Sequence, residues 1–279
     1  MKKIIAAFDG LKFSESLVTH AVSCAKKSKA YLVGISLEDY SRHGYTFADL
    51  VDEDETIDIK VKKLSEKDAR KRKFATDAFK EACQEEGLMY SIHHDKNFAI
   101  QELLHESIYA DLLIIDVTET LTNFPKKPPT RFIRDLLESV QCPVLLVPPK
   151  HKPMEKITFL YDGEPSSVSA IRMFSYMTDL FDDLPVEVIT VKDNLQNLHV
   201  PDNKLMKEFM KRHFPLAKYT VLKGHAETEI ISYLKGQKVN TMIVCGAYQR
   251  GVVSRWFKAS MADVIMEKLN LPLFITHFR

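Results

Sequence analysis

The sequence is poor in the residues that mark several large protein classes. Of its 279 residues only 9 are glycine, 4 cysteine and 1 tryptophan, and Lys+Arg (39) almost cancels Asp+Glu (38), leaving a formal charge of +1. So little glycine, beside 45% hydrophobic and 28% charged residues, argues against a fibrous, disordered or membrane chain and describes a globular one. Neutrality removes the basic imprint that nucleic acid or anionic lipid demands, so neither is expected as a partner. Cys24, Cys83, Cys142 and Cys245 are scattered and lack Cys-x-x-Cys spacing. Reduced, mostly buried thiols in a cytoplasmic protein are expected, with no cysteine-based metal site. No apolar run approaches the roughly 18 residues of a membrane span. The run Ile4–Phe8 ends at Asp9 and reads as a strand with its turn rather than as a signal peptide.

What the sequence does contain is a repeat. Lys3-Ile4-Ile5-Ala6-Ala7-Phe8-Asp9-Gly10 returns as Lys156-Ile157-Thr158-Phe159-Leu160-Tyr161-Asp162-Gly163, an offset of 153. Asp111 to Asp116 returns as Asn240 to Cys245, and Cys142 to Val147 as Leu271 to Thr276, both at an offset of 129. The first copy therefore carries 24 extra residues, the difference between 153 and 129, best placed in the polar stretch from Ser41 to Lys73 as a loop and a lengthened helix. Within it Lys62 to Lys73 reads as a solvated helix face.

Each copy alternates short apolar runs with helical stripes. After the run ending at Asp9 come Leu17, Val18, Ala21, Val22 and Ala25, spaced for one buried helix face. Phe74, Ala75, Ala78, Phe79 and Ala82 make another stripe, and Ile100, Leu103, Leu104 and Ile108 a third. Continuously apolar strands separated by helices indicate an α/β fold with a doubly wound, Rossmann-like parallel sheet in each copy. The domains are expected at 1–148 and 154–279, joined by Pro148-Pro149-Lys150-His151-Lys152-Pro153, a stretch unfit for a helix. The last strands, Val144 to Val147 and Leu273 to Thr276, are expected to pair the two copies within the chain, leaving a homodimer open.

In such a sheet a ligand sits beyond the carboxyl ends of the strands where the winding reverses. In the second copy the loops that meet there begin at Asp162-Gly163 and at Gly246-Ala247-Tyr248-Gln249-Arg250-Gly251, the latter running into a segment with Ser254, Arg255 and Ser260. Glycines before a helix offer free amides, which suit phosphate. At these residues the chain resembles the universal stress protein family, over nearly the whole of both copies. Its ATP-binding members carry an Asp after the first strand and a Gly-x2-Gly-x9-Gly-Ser/Thr loop after the fourth. Asp162 matches that Asp, Gly246 the first glycine and Ser260 the hydroxyl, whereas Gln249 and Ala259 stand where glycines belong, with Gly251 close by as an alternative turn. Val191 matches the valine whose backbone meets adenine. The resemblance implies tandem adenine nucleotide alpha hydrolase-like domains, with Asp162, Gly163 and Val191 toward the nucleoside and Gly246 to Ser260 toward phosphate. ATP or AMP is the ligand it implies, and magnesium accompanying the nucleotide the one metal.

In the first copy Asp9-Gly10 persists, but the fourth strand leads into Asp116-Val117-Thr118-Glu119 with no glycine, and its two carboxylates oppose phosphate. That copy reads as a half whose nucleotide motif is lost. The histidines His93, His94 and His105 are too poorly disposed for a metal, since adjacent strand residues face opposite ways. No nucleophile with its base, no Gly-x4-Gly-Lys-Ser/Thr loop and no Ser-Gly-Gly pyrophosphatase loop is present, so the chain is expected not to be an enzyme beyond a very weak ATPase. Two readings stay open: a stress-response protein sensing adenine nucleotide through its second copy, or an interaction scaffold that binds none.

Overall fold

A computed structural model describes residues 2–38, 57–95, 99–177, 180–181, 184–192, 199–247 and 261–277. The chain divides into two units, one comprising Met1–Gln141 with Pro149–His151 and the other Cys142–Pro148 with Lys152–Arg279. The break thus differs from one set at residue 148, because the strand at 144–147 groups with the second unit.

In the first unit the order is β1 (Lys3–Phe8), α1 (Glu15–Ser28), β2 (Tyr31–Leu37), α2 (Ile57–Glu85), β3 (Tyr90–Asp95), α3 (Ala99–Ser107), β4 (Leu112–Asp116) and α4 (Arg131–Ser139). The strands lie in the order β3-β2-β1-β4, all parallel. The pairing Ile5↔Val33 on one side of β1 and Ile5↔Leu113 on the other makes β1 the point from which winding proceeds both ways. Ile4, Ile5, Leu113 and Ile114 are fully buried, as strands covered on both faces require. Helix α1 starts where Ser14 Oγ accepts the Leu17 amide at 3.2 Å, and its Leu17, Val18, Ala21, Val22 and Ala25 stripe is buried.

Two other stripes are corrected by the structure. In α2, Ala75, Thr76, Phe79 and Cys83 face inward, whereas Phe74 is 62% exposed and leans on Phe13. In the third stripe Leu103 is buried and Ile108, just past α3, is exposed. The 29-residue α2 includes most of the expected insertion, and its Lys62 to Lys73 stretch is largely exposed, save that Asp68 is buried and Lys71 and Arg72 are half-buried.

The second unit contains β5 (Val144–Val147), β6 (Lys156–Leu160), α5 (Pro165–Ser175), β7 (Val186–Lys192), α6 (Asn203–His213), β8 (Lys218–Lys223), α7 (Ala226–Gly236), β9 (Thr241–Gly246), α8 (Met261–Lys268) and β10 (Leu273–Thr276). Its strand order is β5-β10-β9-β6-β7-β8. All neighbours are parallel except β10 with β5, where Leu273↔Leu146 and Ile275↔Val144 run antiparallel. Here β6 holds the central position that β1 holds in the first unit. Phe159 meets Phe174 edge-on at 5.5 Å and Phe214 at 4.9 Å, while Phe174 also meets Phe274 at 5.2 Å, an aromatic core joining β6, α5, β10 and the end of α6. Glu187 is buried in the sheet but satisfied: it accepts from Lys156 Nζ at 2.6 Å, Tyr233 Oη at 2.7 Å and Thr220 Oγ1. No helix among the described residues is long and apolar enough to cross a membrane.

Candidate functional site

The winding of the second unit reverses at β6, so its crevice opens at the carboxyl ends of β6, β7 and β9. Register fixes which residues meet there. Leu160, the last residue of β6, pairs with Ile189, so Asp162 follows the end of β6 beside the carboxyl end of β7, where Val191 lies. Phe159 pairs with Val244, and Gly246 ends β9 on the other side of β6. Neighbouring strands run about 4.8 Å apart, so Asp162, Val191 and Gly246 share one edge. Gln249, Gly251, Ala259 and Ser260 lie outside the described residues.

Asp162 is exposed, and its Oδ1 accepts the Glu164 amide at 2.9 Å and Ser167 Oγ at 2.7 Å. These bonds satisfy the first turn of α5, whose N-cap Glu164 makes no side-chain capping bond and whose first residue is Pro165. Asp162 also reaches β9 electrostatically, since burial first and its negative charge second push the Cys245 thiol up to about 12. That cysteine is therefore an inert thiol. Val191 is half-buried and pairs with Leu222 in β8.

The two glycines have packing reasons of their own. A Cβ on Gly246 would fall 2.4 Å from Ser166 O and 2.5 Å from Ser166 C, so bare backbone lets the start of α5 press onto the end of β9. Gly163 has φ +92°, and a Cβ there would meet Pro201 Cβ at 2.8 Å. Tyr161 Oη donates to Pro201 O at 3.2 Å and Val200 is buried, so the segment before α6 closes one side of the β6–α5 turn. Sequence reasoning passed over Ser167 and Pro201. The Asp-Gly-Glu-Pro-Ser-Ser order was a usable signal for Ser167, as it announces a helix start needing acceptors and donors.

The equivalent crevice of the first unit is filled by the unit's own side chains. Asp9 is 1% exposed and its Oδ1 accepts the Leu11 amide at 2.8 Å, an Asx turn. Asp116 Oδ2 accepts Ser14 Oγ at 2.7 Å, and its Oδ1 accepts the Thr118 amide at 2.8 Å. Glu119 is buried, with Oε1 accepting the amides of Thr120 at 2.8 Å and Leu121 at 3.1 Å. Lys12 Nζ donates to Thr120 Oγ1 at 2.5 Å. Helix α2 closes the top: Arg72 Nε donates to Asp9 O at 3.3 Å while its Nη1 pairs with Glu38 at 2.7 Å. Lys71 and Asp68 both hold Asn123, at 2.6 and 3.2 Å.

A cavity of about 550 Å³ lies elsewhere, at the amino ends of β6 and β7 among Phe181, Pro185, His213 and Leu216. Among the described residues no group of three or more His, Cys, Asp or Glu is placed to hold a metal.

Comparisons with known proteins agree with this architecture. No protein-family model and no curated protein matches the chain. Solved structures do. A universal stress protein from Archaeoglobus fulgidus DSM 4304 is 12% identical, superposes with a TM-score of 0.69, and matches over 99% of this chain and 98% of its own. A functionally unknown protein from Pseudomonas aeruginosa PAO1 is 14% identical with a TM-score of 0.57, over 99% and 92%. At these identities the likeness speaks for the fold. Over nearly its whole length, then, this chain has the doubly wound α/β fold seen in a universal stress protein.

Proposed function

We propose that the chain is a stress-response protein of the universal stress protein type, soluble and cytoplasmic, which performs no chemistry of its own and senses adenine nucleotide through its second unit. The observation that carries this reading is the position of Asp162, Val191 and Gly246 at the carboxyl ends of three adjacent parallel strands. The exposed Asp162 carboxylate and the half-buried Val191 edge suit the polar rim and flat face of a nucleoside. Phosphate, with any accompanying magnesium, would fall to the segment from Gly246 through Gln249 and Gly251 to Ala259 and Ser260. Gln249 and Ala259 supply a Cβ where a phosphate cradle favours bare backbone, so nucleoside contacts outweigh phosphate contacts and affinity is modest.

The second reading, a scaffold that binds no nucleotide, is favoured by one observation: Pro201 sits on Gly163, beside the carboxylate that would meet the nucleoside. Calorimetry with AMP and ATP on the full chain separates the two. Sensing predicts measurable heat with both ligands, loss of at least tenfold in affinity for both on Asp162→Ala, and a gain for ATP over AMP on Gln249→Gly. No heat in any of the three proteins overturns the sensing reading and leaves the scaffold.

A further inference from the structure

The first unit holds an acid pair whose bonding is incomplete as two carboxylates. Asp9 and Glu119 are 1% and 5% exposed. Their oxygens divide a set of amide donors: Asp9 Oδ1 takes Leu11 and Lys12, Glu119 Oε1 takes Thr120 and Leu121, and Glu119 Oε2 takes the Asp9 amide at 3.3 Å. One atom is left over. Asp9 Oδ2 is buried with no hydrogen-bond partner among the described residues, although Glu119 Oε2 lies 3.3 Å from the amide of the same Asp9. A buried anionic oxygen without a donor is costly, and a second carboxylate beside it is worse.

We infer that Asp9 and Glu119 hold one proton between them, Glu119 as the carboxylic acid donating to Asp9 Oδ2, and that this bond is a pH-sensitive latch closing the first unit's crevice. The proton supplies the missing donor and removes one of the two charges. The surroundings agree. Burial first, and the Asp9 charge and hydrogen bond second, raise Glu119 well above its ordinary carboxylate range, against the opposing charge of Lys12 and a backbone bond from Leu121. The other charged groups around the pair are spoken for: Lys12 bonds Thr120, Asp116 bonds Ser14 and Thr118, Arg72 bonds the Asp9 carbonyl and Glu38, and Asp68 and Lys71 hold Asn123. None of these replaces the proton at Oδ2.

The latch connects to the loop that fills the crevice. The Glu119 carbonyl accepts Thr130 Oγ1 at 2.5 Å, and Thr130 is the N-cap of α4, its hydroxyl accepting the Ile133 amide at 3.2 Å. Loss of the proton sets two buried carboxylates against each other, and the released strain falls on the Glu119 turn between β4 and α4. The crevice of the first unit is thus closed below the Glu119 midpoint and loosened as pH rises through it. This inference is independent of nucleotide binding in the second unit.

The test uses the full chain with ¹³C-labelled glutamate carboxyl carbons. The resonance that disappears in Glu119→Gln is followed by NMR from pH 4 to 9, together with hydrogen-exchange protection of the Thr120 and Leu121 amides. Expected are a midpoint above the ordinary 4.5, a lower midpoint in Asp9→Asn, and a fall of at least tenfold in protection at alkaline pH for wild type but not for Glu119→Gln, whose amide preserves the bond to Asp9. A Glu119 midpoint at or below 4.5, or protection that falls equally in both proteins, overturns the inference. So does stabilisation of wild type but not of Glu119→Gln by magnesium or calcium, which would make the occupant a metal ion.

Discussion

Acid should weaken the first unit through a single histidine. His20 lies on the buried face of α1, 4% exposed, with Nδ1 at 2.7 Å from the Ser16 carbonyl and Nε2 buried without a partner among the described residues. Its ring meets His151 edge-on at 4.6 Å. The neutral form with the proton on Nδ1 satisfies Ser16, whereas a second proton on Nε2 would be buried with nothing to receive it. Burial above all, and the charge of His151, bring His20 from 6.5 down to about 4, against the Ser16 bond. Because the folded value is depressed, the unfolded chain binds more protons between these limits. The contribution is complete above about pH 6.5 and is lost as pH falls through 6.5 toward 4. At 1.36 kcal/mol per pH unit the full gap is about 3 kcal/mol, and at pH 4.5 about 2.5 kcal/mol of it has gone. Urea unfolding followed by circular dichroism at pH 7.5 and 4.5 measures the loss in wild type and in His20→Leu, which keeps the volume and cannot titrate. Carboxylates act alike in both proteins, so the variant should lose about 2.5 kcal/mol less. An equal loss in the two proteins refutes the reasoning.

Two further outcomes follow from packing and charge in the second unit. Gly246→Ala puts a methyl on the Ser166 backbone, which cannot swing aside as a side chain can, and should lower stability by about 1–3 kcal/mol in urea unfolding; an unchanged midpoint would show that α5 is free to shift. Lys156→Met leaves Glu187 buried with its hydroxyl donors but no cation, and should cost about 3 kcal/mol, most of it recovered in the double variant Lys156→Met, Glu187→Gln. Additive losses in that double variant would mean that the pair is not coupled.

Much of the fold was legible because its determinants are local. Two runs ending in Asp-Gly, 153 residues apart, are the two central strands, and the stripe from Leu17 to Ala25 is buried as its spacing says. Where the reading slipped, the deciding contact came from far away in sequence. Phe74 and Phe79 both suit a helical stripe, but Phe79 packs on Gly34 of β2, where a Cβ would fall 2.7 Å from its Cε1, and is buried, while Phe74 leans on Phe13 and is exposed. Likewise Lys62 to Lys73 looks uniformly solvated, because Asn123 and the Asp9 carbonyl, which draw Asp68, Lys71 and Arg72 inward, are more than 50 residues off in each case.

The candidate site shows the same division more sharply. Strand ends can be located from apolar runs, and Asp162, Val191 and Gly246 do lie at the carboxyl ends of three adjacent strands. What a glycine is for cannot be located that way. A phosphate cradle and a close helix crossing both demand a bare backbone, and Gly246 meets the second demand through Ser166 whatever else it does. The acidic loop of the first copy was similarly ambiguous. Asp116 and Glu119 seemed alike as charges opposing phosphate, yet one ties the start of α1 to β4 through Ser14 while the other turns inward against Asp9. Two carboxylates buried alike, at 6% and 5% exposure, thus take different roles, and the partner each meets across the fold, which no spacing reveals, sets the difference. The strand-end Asp9 is thus accounted for within the first unit by the turn it caps and by its place against Glu119, with no phosphate loop needed to explain it.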